Sequence, residues 1–219
     1  MLKGKIKLNG DKSISHRILC FAALAKGKSI IKNLSLCNDV QTTINILQQC
    51  NINITHAIKG HIVYGGLFKS NDSKFYCANS GTTARFMLGL LPSQGISGIL
   101  HGDKSLSSRP MGRVIKPLSK MQINFKGKTN TLPISFMASS PLAYNHILEV
   151  PSAQVKSALI LCSLACKETS LIKDPFNTRN HTEKFLAYLG LDCNIYKKFI
   201  LKALILRDSE FQGDCRRGL

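Results

Sequence analysis

The 219-residue sequence is poor in acidic side chains, with 12 Asp and Glu against 30 Lys and Arg and a formal net charge of +18. No apolar run is long enough to span a bilayer, and the first residues, MLKGKIKLNGDK, lack the apolar centre of a secretory signal. Membrane and secreted classes are set aside, and a cytoplasmic protein is expected. None of the eight cysteines falls in a CxxC pair. Cys20, Cys50 and Cys162 sit singly in apolar runs and Cys37 and Cys193 in turns, so reduced thiols are expected. Cys162 and Cys166 stand at helical spacing, but no second pair or adjacent His completes a zinc set, and no metal is expected. The basic residues are spread along the chain without interleaved aromatics. That pattern favours a solvated lysine-rich surface or small anionic substrates over a nucleic-acid groove.

What is present is a repeat. Three stretches, GDKSISHRILCFAALAKGKSIIKNL, ANSGTTARFMLGLLPSQGISGILHG and VPSAQVKSALILCSLACKETSLIKD, each open on small polar residues. Each then carries a cation (Arg17, Arg85, Lys156), an apolar helical run, a polar break and a strand-like segment. The pitch is 68 residues from Arg17 to Arg85 and 71 from Arg85 to Lys156, with a one-residue slip in the third unit. Amphipathic helices starting near Asp39, Arg109 and Asn180 follow, each running into a strand, with strand-like segments such as HIVYGGLF and NHILEV between units. The expected unit is strand, helix, strand, helix and a strand pair, made three times. Such pseudosymmetry brings equivalent helix starts toward one face, with Lys12, Arg17, Arg85 and Lys156 around a common point.

Unpaired N–H groups and the positive dipole end make a helix start a place for an anion, and ANSGTTAR puts Asn79, Gly81 and Thr82 there. Ordinary capping explains the same residues, and the stretch alone leaves both open. Lys12, among other cations at a helix start, is expected to lose its proton more easily than a free lysine and so to suit proton transfer. Ser13, Ser15 and Arg17 lie within one turn of it, where hydroxyls and a guanidinium can share phosphate oxygens. His16 beside them reads as structural. Arg109 precedes Pro110, a residue suited to the first helical position, which places the Arg at a helix mouth. Ser152 and Gln154 offer neutral hydrogen bonds for hydroxyls, or caps.

GDKSISHR, NSGTTAR, DKSLSSRPMGRV, SAQVKSALIL and TRNHTEKFL occur in this order over residues 5 to 196. In that order and approximate spacing they resemble the 5-enolpyruvylshikimate-3-phosphate synthase family, the 3-phosphoshikimate 1-carboxyvinyltransferases. The related UDP-N-acetylglucosamine enolpyruvyl transferases share the architecture but lack the DKSISHR opening. The resemblance implies an α/β fold of the inside-out barrel type, three βαβαββ repeats with helices inside and sheets outside. It implies transfer of the enolpyruvyl group of phosphoenolpyruvate to the 5-hydroxyl of shikimate 3-phosphate, by addition and elimination, without a cofactor. Carried over by position, Lys12 contacts both substrates and moves a proton. Ser13, Arg17, Ser152, Ala153, Gln154 and, more loosely, Thr178 and Arg179 hold shikimate 3-phosphate. Asn79, Gly81, Thr82, Arg109 and Gln154 hold phosphoenolpyruvate. Ala153 stands where many members have Ser.

Family members have about twice this length and a second domain that supplies an Asp base, a Glu and further Arg and Lys residues. None of those motifs is present. The expected organisation is a strand at 1–10 belonging to the absent domain, a substrate-binding domain at 11–205 (repeats at about 11–75, 76–145 and 146–205) and a divergent tail at 206–219. FQGDCRRGL falls where the family crosses back between domains, and its likeness ends after Asp214. Three readings follow, in order of preference. The first is an enolpyruvyl transferase half, inactive alone and needing a separate chain for the other domain. The second is a non-catalytic or relic anion-binding domain of the same family. The third, from charge alone, is a nucleic-acid binder, which would associate with any duplex in a strongly salt-dependent way.

Overall fold

Three helices of this chain are apolar on nearly every side, and a helix without a polar face has nowhere to sit except the middle. They are α1 (Lys12–Leu24), in which every residue from Ile14 to Ala23 is buried, and two counterparts described below. The computed structural model describes residues 10–58, 60–127, 130–191, 199–201 and 211–214. The expected strand at 1–10, apart from Gly10, and Cys193 lie outside these residues.

In the first unit α1 leads to β1 (Gly27–Lys32), α2 (Asn38–Gln49), β2 (Asn53–Ala57) and β3 (Gly60–Gly65). The second unit runs β4 (Lys74–Tyr76), α3 (Gly81–Ser93), β5 (Gly98–His101), a single turn α4 (Lys104–Ser107), α5 (Gly112–Lys120), β6 (Asn124–Lys126) and β7 (Ile134–Met137). The third runs β8 (His146–Ile147), α6 (Ala153–Ser163), β9 (Ser170–Lys173), α7 (His181–Tyr188) and β10 (Phe199–Leu201), and a last strand, β11, spans Phe211–Asp214.

Three sheets result, one per unit, with strand orders β11-β1-β3-β2, β4-β5-β7-β6 and β10-β9-β8. In the second and third, the parallel pairs β4–β5 and β8–β9 are joined through the buried helices α3 and α6. The first unit has no strand of its own before α1 among the described residues. Its parallel partner is β11, which lies beside β1 with Ser29 opposite Phe211 and Lys32 opposite Asp214. Four residues of the expected tail are therefore the outer strand of the first sheet. An unpaired β1 edge gains a ladder of backbone hydrogen bonds from them, whatever their side chains. The helices pack inside and the sheets lie outside, as the family resemblance implies.

The central helices touch closely. A Cβ at Gly89 of α3 would lie 2.4 Å from the backbone oxygen of Ala158 in α6, so only hydrogen fits at that crossing. The amphipathic α5 instead buries Val114, Ile115, Pro117 and Leu118 and leaves Arg113, Lys116, Ser119 and Lys120 exposed. Cys20, Cys50, Cys77, Cys162 and Cys166 are buried free thiols, and burial pushes Cys20 up to about 12, far from reactivity at neutral pH. Among the described residues no helix is long and apolar enough to cross a membrane.

Candidate functional site

Each central helix begins on a side-chain cap that frees the helix to start abruptly. Asp11 accepts from the Ile14 N–H (2.8 Å), Ser80 from that of Thr83 (3.2 Å) and Ser152 from that of Val155 (3.3 Å). Polar side chains then tie these three starts together. Between α1 and α3 the link runs through α2: His16 Nδ1 and Thr43 Oγ1 are 2.7 Å apart, and Thr43 Oγ1 and Thr83 Oγ1 2.8 Å. Between α3 and α6, Arg85 Nη1 donates to Gln154 Oε1 (3.1 Å) and Gln154 Nε2 to Thr82 Oγ1 (2.9 Å). Between α1 and α6, Arg17 Nη2 donates to Ser157 Oγ (2.9 Å), and Arg17 Nε to Thr182 Oγ1 of α7 (2.7 Å).

The region around Gly81 is cationic. A Cβ there would fall 2.7 Å from Arg85 Nη1 and 3.3 Å from Arg109 Nη1, so two guanidinium groups close on the point that glycine leaves open. Arg85 also donates to the Gly81 carbonyl (3.0 Å). Burial lowers its pKa, with the Arg109 and Arg113 charges adding to the effect. Asn79 orients Arg109: its Oδ1 accepts from Arg109 Nη2, while its Nδ2 donates to Asp103 Oδ2 (2.7 Å). Asp103 caps α4, and the Leu106 N–H, with Asn79, holds its carboxyl below the usual range. Such an array of guanidinium donors at a helix start suits a carboxylate or phosphate.

Two expectations are corrected here. Lys12, half-exposed, does not lose its proton easily. Its ammonium lies 3.0 Å from Asp39 Oδ2, and that hydrogen bond and charge raise its pKa above the ordinary lysine value. Lys156 does not face the common point at all. It is 1% exposed and pairs at 2.7 Å with both Asp174 and Glu183. The physical reason is rotation. Arg17, Arg85 and Lys156 follow their caps Asp11, Ser80 and Ser152 by six, five and four residues. Each one-residue step turns a side chain about 100° around its axis.

Arg109 is also placed differently: it sits in the turn between α4 and α5, and Pro110 precedes the helix, which starts at Gly112. With Met111 at the cap position, the Arg109 N–H is satisfied by the Leu106 carbonyl instead (3.0 Å). Ser13 gives its carbonyl to Arg17 (2.8 Å), Ala153 its carbonyl to Ser157 (2.7 Å), and Arg17 is buried, with its pKa lowered to about 10 chiefly by that burial. Thr178 and Arg179 lie on the loop between β9 and α7, Thr178 half-buried and Arg179 exposed. Ser15 turns inward, donating to the Asp11 carbonyl (2.7 Å) and accepting from Ser35 N. His16 is fully buried and held down to about 4 by burial, a structural histidine.

Residues that the motifs did not single out complete the network: Asp39, Thr43, Thr83, Arg113, Ser157, Asp174, Thr182 and Glu183. The scarcity of acids was the available signal, since Asp174 and Glu183 sit beside apolar segments and need buried partners. A cavity of about 240 Å³ adjoins the site, lined in part by Pro110, Arg113, Lys116, His146 and Glu149. None of the expected substrate residues lines it.

The fold and this ring of capped helix starts define an α/β domain of the inside-out type. The family model for EPSP synthase (3-phosphoshikimate 1-carboxyvinyltransferase) matches residues 1–200. The 3-phosphoshikimate 1-carboxyvinyltransferase of Syntrophomonas wolfei is 44% identical over 198 residues, covering 87% of this chain and 46% of that protein. That of Persephonella marina is 38% identical over 219 residues, covering 97% and 50%. The solved EPSP synthase of Acinetobacter baumannii superposes with a TM-score of 0.85 at 31% identity, covering 96% of this chain and 48% of that one. This chain belongs to the EPSP synthase family. It spans about half the length of the curated relatives it matches.

Proposed function

We propose that this chain forms the shikimate 3-phosphate side of an enolpyruvyl transfer site. In the reaction, the 5-hydroxyl of shikimate 3-phosphate adds to C2 of phosphoenolpyruvate as C3 gains a proton. Loss of that intermediate's phosphate and of a C3 proton then leaves the enol ether. Ser13, Arg17, Ser152, Ala153, Gln154, Thr178 and Arg179 bind the shikimate phosphate and ring. Lys12, Asn79, Gly81, Thr82, Arg109 and Gln154 hold phosphoenolpyruvate. The observation that carries this reading is Arg17, whose guanidinium ties α1 to α6 and α7 by donating to Ser157 Oγ (2.9 Å) and Thr182 Oγ1 (2.7 Å).

Lys12 acts here as a cation and proton donor. Its Asp39 partner keeps it protonated, so it can stabilise the anionic phosphoenolpyruvate and the charge that develops on it. The base for the 5-hydroxyl is expected from a second domain, on this or a separate chain. Losing a positioned base alone costs about 10²- to 10⁴-fold in rate. These 219 residues alone are therefore predicted to bind shikimate 3-phosphate while showing negligible turnover. Calorimetric titration of the purified chain with shikimate 3-phosphate, beside an Arg17→Ala control, tests the reading. Saturable binding that the control loses is the expected result. A folded chain that binds nothing, or an unaffected control, overturns it.

A further inference from the structure

Lys156 drew notice as a site cation, yet it is buried 18 residues before one acid and 27 before another, and the reaction uses none of the three. Its ammonium donates to Asp174 Oδ2 (2.7 Å) and to the Thr178 carbonyl (3.3 Å), and it forms an ion pair with Glu183 Oε1 at 2.7 Å. Asp174 is the hub of the loop that follows β9. Its Oδ1 accepts from Phe176 N (3.0 Å), and its Oδ2 from Thr178 N (2.9 Å) and Thr178 Oγ1 (2.6 Å). The loop turns sharply inside this hub, with Asn177 in the left-handed region at φ 50°.

Its far end is held as well. Glu183 lies in the first turn of α7, next to Thr182, whose hydroxyl accepts from Arg17 Nε and lies 2.7 Å from Ser157 Oγ. The Glu183 charge also acts directly on Arg17, opposing the effect of its burial. A buried ion cluster of this kind adds little stability over apolar packing of the same volume. What it adds here is a fixed geometry for residues 174–183.

We propose that Lys156, Asp174 and Glu183 form a positioning cluster that fixes the 174–180 loop, and with it Thr178 and Arg179, for the phosphate of the sugar-like substrate. The phosphate contact rests on the function proposed above, whereas the hold on the loop does not. None of the three touches substrate; each acts through the loop or through Arg17.

Hydrogen exchange and calorimetry on Asp174→Asn test this together. The exchange of the Phe176 and Thr178 amides is expected to accelerate at least about tenfold while that of α3 is unchanged. Affinity for shikimate 3-phosphate falls about tenfold, as loss of charge-assisted hydrogen bonds implies, while affinity for unphosphorylated shikimate changes less than about twofold. A merely structural role would weaken both ligands alike, and that outcome, or unchanged exchange at residues 176 and 178, overturns the proposal. Should Asp174→Asn not fold, Lys156→Met combined with Glu183→Leu replaces the pair by apolar packing and reads the same amides. If the unaltered chain binds neither ligand, the proposed function fails, and the exchange result still decides the role of the cluster.

Discussion

The starts of α3 and α6 occupy matched places in the repeat, and each carries a cation in its first two turns, yet the two cations have opposite fates. Arg85 of α3 is half-buried beside two further arginines, and its partners are neutral: the Gly81 and Pro110 carbonyls and Gln154. Lys156 of α6 is sealed between two carboxylates. One start keeps its charge available to a ligand, and the other spends it on architecture. Repeat symmetry places the backbone, but the neighbouring charges decide which side chains can do chemistry.

The comparison can be broken most forcefully at Lys156. Its replacement by Met leaves two buried carboxylates unpaired, and urea denaturation should show a loss of about 3–5 kcal/mol. Replacing Arg85 by Met should cost much less, because no buried acid is left behind. Equal losses would erase the distinction between the two starts.

Acid separates them next. His16, on the α3 side, is held to about 4 by burial, and its buried Nε2 has no acceptor among the described residues. Because its pKa is lowered on folding, stability is full above the ordinary histidine value of 6.5 and falls as the pH drops toward 4. The loss reaches about 3 kcal/mol and should vanish in His16→Asn. On the α6 side burial pushes Asp174 up, but the Lys156 and Thr178 hydrogen bonds outweigh it and hold the carboxyl below its usual 3.8. Its contribution is thus present above that value and lost only in stronger acid. Denaturant midpoints measured from pH 7 to pH 3 should show the His16 step first; a single step below pH 4 would contradict the assignment.

Smaller effects sharpen the contrast. Gly81→Ala places a methyl 2.7 Å from the flexible end of Arg85, which can shift, so stability should change by less than about 1 kcal/mol. The same methyl would occupy the point of approach proposed for the anion, and phosphoenolpyruvate affinity in the presence of shikimate 3-phosphate should drop about tenfold, or 1.4 kcal/mol. An alanine variant that binds as well as the native chain would remove Gly81 from the site. The caps come below that loss of affinity. Ser80→Ala and Ser152→Ala should each cost about 1 kcal/mol in thermal unfolding, the former more, since Ser80 also accepts from the Thr83 hydroxyl at 2.7 Å.

Much of this was legible in residue order. The apolar runs after Asp11, Ser80 and Ser152 mark the three buried helices, and polar residues ahead of each mark the caps. The ordered motifs carry the family and its inside-out layering. Three things were not legible, each for a physical reason. The partner of β1 comes from residues 211–214, nearly two hundred positions away, and backbone pairing leaves no side-chain signature. Lys156 looked like a ligand cation because the motif alignment absorbs a one-residue slip that the helix converts into a rotation. Lys12 looked easily deprotonated because Asp39, 27 residues distant, could not be seen to lie 3.0 Å away.

The central claim is that the helix starts, and not the lysine-rich exterior, receive the anionic substrate. Backbone amide chemical-shift mapping of the labelled chain on titration with shikimate 3-phosphate tests it most directly. The account predicts saturable shifts concentrated at residues 12–17, 152–154 and 178–179, with the amides of β2, β3 and β6 unmoved. Shifts spread over those outer strands, weakening steadily with added salt and reaching no plateau, would contradict it.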